Sequence, residues 1–356
     1  MFLLNNVNKY YMDKNSCAPG KGDPVSCYSE KSLRHIAKLI NNDTNYTIDN
    51  GLSKKELWDK IYEIMMRLTS CKTESCWLKN VMMNKLPEDI REDVRRKTFK
   101  PFMPRTWENN YNEWLSTVDI NAVLKQYEDH HKDFKLYGPT PIDFDLKHPD
   151  GSCKVDSLCS IDIKSLLDSG IRKIGIVFNT DPHYKGGQHW ISMYVDLYDD
   201  NCFYNGGRKS KRTKKHKKTH TKYKKIHAKH KRKHHNKKHT IKKIEKGELL
   251  SDDDLNNKKR CSGMYFFDSQ GIKPPNNIVE LMEKLCKQGD DCNIKFQKLY
   301  NDNQHQYKNT ECGIYSIHFI INMLEGMKFR NYINTKRKDE DIEKFRKIFY
   351  IDQRLI

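Results

Sequence analysis

Apolar residues recur at helical spacing through the first hundred residues of the chain. Two amphipathic helices are predicted, over residues 29–41 and 53–70, and the helical pattern continues in shorter pieces up to residue 97. Prolines at positions 101 and 104 then interrupt it. We therefore predict a mainly helical N-terminal domain over residues 1–100 and a second domain over residues 101–356.

Beyond residue 100 short runs of β-branched and aromatic residues alternate with helical segments. An amphipathic helix is predicted after Trp114 and Leu115, and a long apolar helix begins at Cys312. Residues 137–145 are interpreted as an extended, turn-rich connection, and residues 336–356 as a charged amphipathic helix. Four strands are predicted, over residues 173–180, 189–198, 263–268 and 293–301. This order predicts an α+β core, with a mixed sheet packed on the helix that carries Cys312.

One segment holds the basic character of the 356-residue chain. The net charge is +19, and residues 208–246 alone contain 20 lysines and arginines against one acidic residue, Glu245. Residues 206–246 have almost no apolar content, so they are predicted to form a disordered insert within the second domain. Their charge, with seven histidines that gain protons below about pH 6.5, favours nonspecific contact with nucleic acid or another polyanion. A solvated loop without a role is the alternative.

Eleven cysteines, an odd number, occur in a chain whose first residues lack the features of a secretion signal. We therefore expect reduced thiols in an intracellular compartment, one of them reactive. The pairs Cys17/Cys27 and Cys71/Cys76 lack the C-x₂-C spacing of a structural zinc site, so no metal is predicted. No glycine-rich nucleotide motif occurs, so no cofactor is expected, and no apolar run reaches the ~18 residues of a membrane-spanning helix.

Cys312 stands where a loop enters the long apolar helix. The N–H groups of a helix start favour a thiolate, although most cysteines at such a junction are simply buried apolar residues. A nucleophilic cysteine needs a base, a group that orients the base, and donors for an oxyanion. His189 starts one predicted strand and Asp268 ends another, so pairing of those strands would bring both beside Cys312. Gln306, six residues before Cys312, is a candidate oxyanion donor.

Three other histidines compete for a role, and each has a simpler interpretation. His183 and His189 flank a glycine-rich turn and suggest a metal site, but no HExxH motif or tight cysteine pair accompanies them. His305 lies in a predicted loop, where a general base is held less rigidly than on a strand. His318 falls on the apolar face of the Cys312 helix and is interpreted as a core residue.

The ordered set of His-Trp at a strand start, Phe-Asp-Ser at a strand end and Q-x₅-C-G at a helix start resembles the SUMO-protease and adenovirus-protease clan of cysteine peptidases. The resemblance implies a papain-like, SUMO-protease-like core. It also implies that His189, Asp268 and Cys312 form the catalytic triad, with the Gln306 amide in the oxyanion hole.

Further resemblances concern the substrate. Trp190 is similar in place to the aromatic that walls the slot for a Gly-Gly segment, and Trp114 is similar to the residue that covers the slot from the other side. The WLSTVDI…GPTPIDF run and an N-terminal SCWL element resemble the polyprotein-processing proteases of large nucleocytoplasmic DNA viruses. That likeness covers residues 101–356 apart from the insert. It implies a thiol endopeptidase of the virion and host cytoplasm that cleaves Gly-Gly-type sites in structural precursors during particle maturation.

Two departures from the clan's pattern leave other functions open. The insert stretches the His–Asp spacing to 79 residues, and Trp114-Leu115 is not followed by the Asn-Asp of many cellular members, which argues against SUMO itself as substrate. The alternatives are a catalytically inactive, nucleic-acid-associated virion protein, and a deSUMOylase-like hydrolase or acyltransferase on the same scaffold. Gln306 and Trp190 favour hydrolysis over transfer from a bulky acyl carrier.

Overall fold

The computed structural model describes residues 16–69, 71–198, 260–352 and 354. The predicted basic insert, residues 206–246, lies outside the described residues, as does the prediction of its disorder. Four α-helices of the described chain precede residue 100: α1 (Glu30–Asp43), α2 (Lys54–Thr69), α3 (Glu74–Trp77) and α4 (Glu88–Glu92). Ser29 begins α1 by accepting a hydrogen bond from the backbone of Ser32, as an N-cap serine does. In the described part of the chain, no helix is long and apolar enough to cross a membrane.

Five strands form one mixed sheet in chain order. They are β1 (Phe134–Pro141), β2 (Lys173–Asn179), β3 (Trp190–Asp196), β4 (Arg260–Phe267) and β5 (Ile294–Tyr300). The central pairs β2–β3 and β3–β4 are antiparallel, whereas the outer pairs β1–β2 and β4–β5 are parallel. Because β3 and β4 are antiparallel neighbours, the start of β3 and the end of β4 lie at the same edge of the sheet.

Eight α-helices follow residue 100 in the described part of the chain. They are α5 (Thr117–His130), α6 (Asp156–Cys159), α7 (Ile163–Asp168), α8 (Asn276–Asp291), α9 (Cys312–Leu324), α10 (Phe329–Asn334), α11 (Asp339–Glu343) and α12 (Phe345–Phe349). The α+β core with a mixed sheet, predicted from the order of the elements, is confirmed.

Both faces of the sheet are covered, which explains why β3 is apolar at nearly every position. Trp190 and Tyr194 point to the face that packs on α9 and α5, whereas Ile191, Met193 and Val195 point to the face that packs on α7 and α8. Side chains alternate between the faces of a strand, so two buried faces require a continuous apolar run. The helix α9 is buried along almost its whole length and forms the centre of the core.

A separate apolar cluster belongs to the N-terminal helices. It contains buried side chains between Cys17 and Phe99, together with Ile351 from the C-terminal segment. Ile351 also pairs with the linker, donating its N–H to the Pro101 carbonyl at 2.9 Å and accepting the Met103 N–H at 2.9 Å. The division into two domains at residue 100 stays a prediction.

Three differences from the sequence-based expectations concern single elements. Within the predicted connection 137–145, residues 137–141 belong to the edge strand β1, where the prolines of Gly-Pro-Thr-Pro are tolerated because an edge strand leaves N–H positions unused. The tail is not one helix but the short helices α11 and α12. Six cysteines are not reduced thiols: their Cα atoms lie 5.3, 5.5 and 6.2 Å apart, within disulfide range, in the bonded pairs Cys17–Cys27, Cys71–Cys76 and Cys153–Cys159.

Candidate active site

The pairing of β3 with β4 brings His189 and Asp268 together across 79 positions of sequence. His189 immediately precedes β3 and Asp268 immediately follows β4, so both lie at one edge of the sheet. The His189 Nε2 atom and the Asp268 Oδ1 atom are 2.8 Å apart, and both residues are buried. The contact that the sequence left open is therefore made, and the imidazole Nδ1 is left to face another group.

Asp268 is held by its own set of hydrogen bonds. Its Oδ1 atom also accepts the Gln270 N–H at 2.7 Å. Asn301, which follows β5 and is fully buried, accepts the Asp268 N–H at 2.9 Å and donates to the Asp268 carbonyl at 2.7 Å. The Asn301 amide therefore fixes the backbone that carries the carboxylate.

The environment of His189 favours its protonated form. Burial by itself lowers the pKa of the imidazole, but hydrogen bonding and the charges of Asp268 and Cys312 outweigh it and raise the pKa of His189 to about 9. Asp268 and the Cys312 thiol thus act on the same imidazole. A cationic imidazole next to a sulfur is the partner that a cysteine nucleophile requires.

Cys312 is the first residue of α9 and is 1% exposed. The next residue has to be glycine, because a Cβ atom on Gly313 would lie 2.8 Å from the Leu115 Cβ atom and 3.4 Å from the Trp190 Cδ1 atom. The Trp190 indole N–H donates to the Leu115 carbonyl at 2.8 Å. Close packing of Leu115 and Trp190 against the start of α9 therefore positions the nucleophile candidate.

The other predicted site residues flank this centre. Trp190 is buried behind Leu115, while Trp114, one residue before Leu115, leaves 42% of its surface exposed. Gln306 is buried, with its Nε2 atom donating to the Lys308 carbonyl at 2.7 Å. The structure thus brings His189, Asp268 and Cys312 together, and Trp114 and Trp190 are joined to them through Leu115.

The competing histidines have structural partners. His183 pairs through Nδ1 with Asp143 Oδ2 at 2.7 Å. His305 packs edge-on against Phe267, and burial lowers its pKa. His318 lies 2.8 Å from the Tyr332 hydroxyl, and burial lowers its pKa to about 3. Of these four histidines, His189 is the one whose pKa is raised by Asp268 and Cys312. Across the described residues, no group of three or more histidine, cysteine or acidic side chains is arranged to hold a metal.

A buried thiol at a helix start, with an imidazole and a carboxylate beside it at one edge of a mixed sheet, is an arrangement typical of cysteine peptidases. The chain is 32% identical over 351 residues to a protein of African swine fever virus named as a SUMO-1 cysteine protease, with 96% of each chain covered. It is also 25% identical over 360 residues to a protein of Acanthamoeba polyphaga mimivirus named as a thiol protease, with 95% of this chain and 94% of the relative covered. The chain belongs to this family of viral cysteine proteases. No protein-family model matches it.

A solved structure agrees with the fold. The crystal structure of the African swine fever virus protease superposes with a TM-score of 0.57, covering 95% of this chain and 96% of that chain at 18% identity. At that identity the superposition bears on the fold alone, and it agrees with the predicted α+β core.

Several residues around the site were missed by reasoning from sequence. Asn301, Ser269 and Asp339 are buried polar residues that make hydrogen bonds within the site and its supporting loops. The place of Asn301 could have been inferred from the sequence, because Asn301 follows β5 as Asp268 follows β4. Neighbouring parallel strands end at the same edge of a sheet. No pattern in the sequence points to Asp339, because it lies in a charged stretch about 30 residues after the loop residues that it contacts.

Proposed function

We propose that the protein is an endopeptidase with Cys312 as nucleophile, His189 as acid and base, and Asp268 as the group that orients the histidine. The 2.8 Å contact between His189 Nε2 and Asp268 Oδ1, beside a buried cysteine at the start of α9, carries the proposal. Although burial alone would lower the pKa of this imidazole, Asp268 and Cys312 raise it to about 9. Gln306 is proposed as a donor to the oxyanion.

The reaction follows from these groups. The Cys312 sulfur, as a thiolate paired with protonated His189, attacks the peptide carbonyl carbon, and the carbonyl electron pair moves to oxygen. The Gln306 side-chain amide and the Cys312 backbone N–H stabilise that oxygen. His189 gives its proton to the leaving amine as the C–N bond breaks, which leaves a thioester on Cys312. Water, deprotonated by His189, then attacks the thioester carbonyl, the C–S bond breaks to release the acid product, and the thiolate and protonated His189 are restored.

A Gly-Gly segment is the proposed sequence at the cleavage site. Leu115 and Trp190 crowd the residue after Cys312, since a Cβ atom on Gly313 would lie 2.8 Å from the Leu115 Cβ atom and 3.4 Å from the Trp190 Cδ1 atom. Such crowding favours a substrate segment without side chains. The exposed Trp114 offers an aromatic face on the approach to the same place. The resemblance to viral polyprotein proteases further suggests structural precursor proteins as substrates, cleaved in the virion or in the host cytoplasm.

A peptide assay tests the proposal. Purified protein is incubated with a fluorogenic peptide that ends in Gly-Gly, next to Cys312→Ala and next to wild type treated with a thiol alkylator. We expect cleavage by the wild type only. Equal signals from wild type and C312A would reject the peptidase and leave the inactive virion protein as the better account. Transfer to an added amine instead of water would support an acyltransferase.

A second part of the proposal concerns the insert. Residues 206–246 are proposed to bind nucleic acid or another polyanion without sequence preference, since 20 basic residues lie within a stretch of 39 that has only Tyr223 for base stacking. The described strands support independence from catalysis. Asp196 at the end of β3 pairs with Gly263 near the start of β4, so the undescribed segment joins the sheet at the edge opposite to His189 and Asp268.

A further inference from the structure

The side-chain amide of Gln306 can act as a donor only if its two ends are oriented correctly. A carboxamide has an oxygen that accepts and a nitrogen that donates, and rotation by 180° exchanges them. In the structure the Ser269 hydroxyl donates to Gln306 Oε1 at 2.6 Å, and Gln306 Nε2 donates to the Lys308 carbonyl at 2.7 Å. Both ends of the amide are therefore held, and one N–H of the nitrogen remains for a further acceptor.

The Lys308 carbonyl and the Ser269 hydroxyl constrain the orientation of the Gln306 amide in different ways. The Lys308 carbonyl can only accept, so the reversed amide would place two oxygens against each other there. The Ser269 hydroxyl supplies the matching donor at the other end. Gln306 is 2% exposed and Ser269 is 1% exposed, so water does not replace a lost partner. An amide oxygen left without a donor in such a place is costly.

The main chain of Ser269 also holds the backbone of Gln306. Its carbonyl accepts the N–H groups of His305 and Gln306, each at 2.8 Å. Since Ser269 directly follows Asp268, the segment that carries the triad carboxylate is joined to the segment that carries the oxyanion donor. The serine thus contacts Gln306 through both main chain and side chain, at both its N–H and its Oε1.

We propose that Ser269 is a positioning residue, whose hydroxyl locks the Gln306 amide with its nitrogen toward the reacting carbonyl. It touches no substrate atom and acts only through Gln306. The inference rests on the proposed function, because the lock matters only if Gln306 serves an oxyanion at Cys312.

The test uses a double-mutant cycle in the full-length protein. Ser269→Ala, Gln306→Ala and the double variant are compared with wild type for kcat and KM on the Gly-Gly peptide. The rate of Cys312 alkylation by iodoacetamide is followed by peptide mass spectrometry. We expect Q306A to lower kcat about 10²- to 10³-fold, as the loss of an oxyanion donor does. S269A should lower kcat about 10- to 100-fold with KM nearly unchanged, since the donor is misplaced but present.

Two readouts separate positioning from a general loss of structure. Alkylation forms no oxyanion, so the alkylation rate should be the same in S269A and wild type. In the Q306A background, S269A should have no further effect, because the hydroxyl then has no amide to orient. Ser262→Ala is the matched control: Ser262 is a buried serine on β4, the strand that precedes Ser269, and its hydroxyl donates to the Leu197 carbonyl at 2.7 Å.

The outcomes are distinct. A kcat for S269A equal to that of S262A, with active wild type, would overturn this inference alone. An undiminished effect of S269A in the Q306A background would also overturn it, since the serine would then act through Asp268 or the fold. A wild type that cleaves no peptide would overturn the proposed function and this inference together.

Discussion

At the residue scale, the protonation of His189 is central to the proposed mechanism. Burial opposes the cationic imidazole, and Asp268 together with Cys312 outweighs burial to give a pKa of about 9. A histidine whose folded pKa lies above its ordinary value near 6.5 stabilises the fold most below that value. The stabilisation is lost as the pH rises through about 9. The protonated imidazole of His189 should therefore persist into mildly alkaline solution.

Replacing the Asp268 carboxylate should lower the pH at which His189 loses its proton. In Asp268→Asn the negative charge that favours the protonated imidazole is gone, so the pKa of His189 falls. We expect the alkaline limb of kcat/KM against pH to shift to lower pH, and kcat at neutral pH to fall by roughly 10²- to 10⁴-fold, as it does when a triad acid is replaced by its amide. Asp143→Asn, which alters the separate Asp143–His183 pair, is the control with an unchanged profile. An unshifted limb in D268N would contradict the role of Asp268.

The triad candidates could be predicted because each borders an apolar run of the sequence. His189 precedes such a run, Cys312 begins one, and Asp268 follows one. Ser269 and Asn301 act through hydrogen bonds set by the turn after β4 and the end of β5. Those bonds depend on tertiary register, which one sequence does not reveal.

At the scale of elements, the start of α9 is held by close packing. Gly313→Ala places a methyl group 2.8 Å from the Leu115 Cβ atom, in a region where both Leu115 and Trp190 are buried. Overpacking of this kind costs about 1–3 kcal/mol and should also displace Cys312, so we expect a lower melting temperature and a large loss of kcat. Gly51→Ala, where the nearest atom would be 3.5 Å away, is the matched control. Normal activity of G313A would show that α9 tolerates a shift.

The C-terminal helices support the loop between Gln306 and Cys312. Asp339, the first residue of α11, accepts the N–H groups of Tyr307 and Lys308 with one oxygen, each at 2.8 Å. Its other oxygen accepts the hydroxyl of Tyr315, a residue of α9, at 3.2 Å. This buried carboxylate therefore ties the loop to the helix of the nucleophile.

The pair of variants Asp339→Ala and Asp339→Asn separates shape from charge. Asparagine keeps an oxygen for both N–H groups and a nitrogen that can donate to the Tyr315 hydroxyl, whereas alanine keeps neither. We expect D339A to lower kcat about tenfold or more and D339N to retain most of it, since a buried N–H without an acceptor costs roughly 1–3 kcal/mol. Peptide cleavage and thermal melting give both values. Equal activities of D339A and wild type would exclude this support.

The elements themselves were mostly predictable from hydrophobic spacing. The helices α1, α2, α5 and α9 and the strands β2 to β5 follow their patterns. The strand β1 was missed because Gly-Pro-Thr-Pro is typical of a turn, and only its edge position makes it a strand. The tail was missed because helical periodicity does not show where packing against α9 breaks a helix into pieces.

At the scale of the whole molecule, the chain between β3 and β4 joins the sheet at the ends of these strands that lie away from His189 and Asp268. The strands β3 and β4 run from the edge with His189 and Asp268 to the edge where residues 199–259 attach, over six residue steps or roughly 20 Å. A long segment inserted there changes the sequence spacing of the pair without changing its contact. The site was for this reason recoverable from sequence despite a separation of 79 residues.

Deleting residues 206–246 tests whether this segment is independent of catalysis. We expect the shortened protein to cleave the Gly-Gly peptide with nearly unchanged kcat/KM, because the described strands that flank the deleted segment end on the side of the sheet away from His189. Retention on heparin or DNA at ~0.2 M salt should be lost, since the segment supplies the net basic charge of the chain. Chromatography of both proteins at several salt concentrations gives the comparison. Unchanged retention would refute the polyanion role.

Covalent capture of the nucleophile tests the central claim most directly. A peptide that ends in Gly-Gly followed by a vinyl sulfone reacts irreversibly with the thiolate that would attack the cleavage site. Intact and peptide mass spectrometry should find one adduct per molecule, on Cys312, with none in Cys312→Ala and slow labelling in His189→Ala. The half-buried free cysteines Cys286 and Cys292 serve as internal controls. Absence of an adduct on Cys312, or equal labelling of Cys286 or Cys292, would contradict the account.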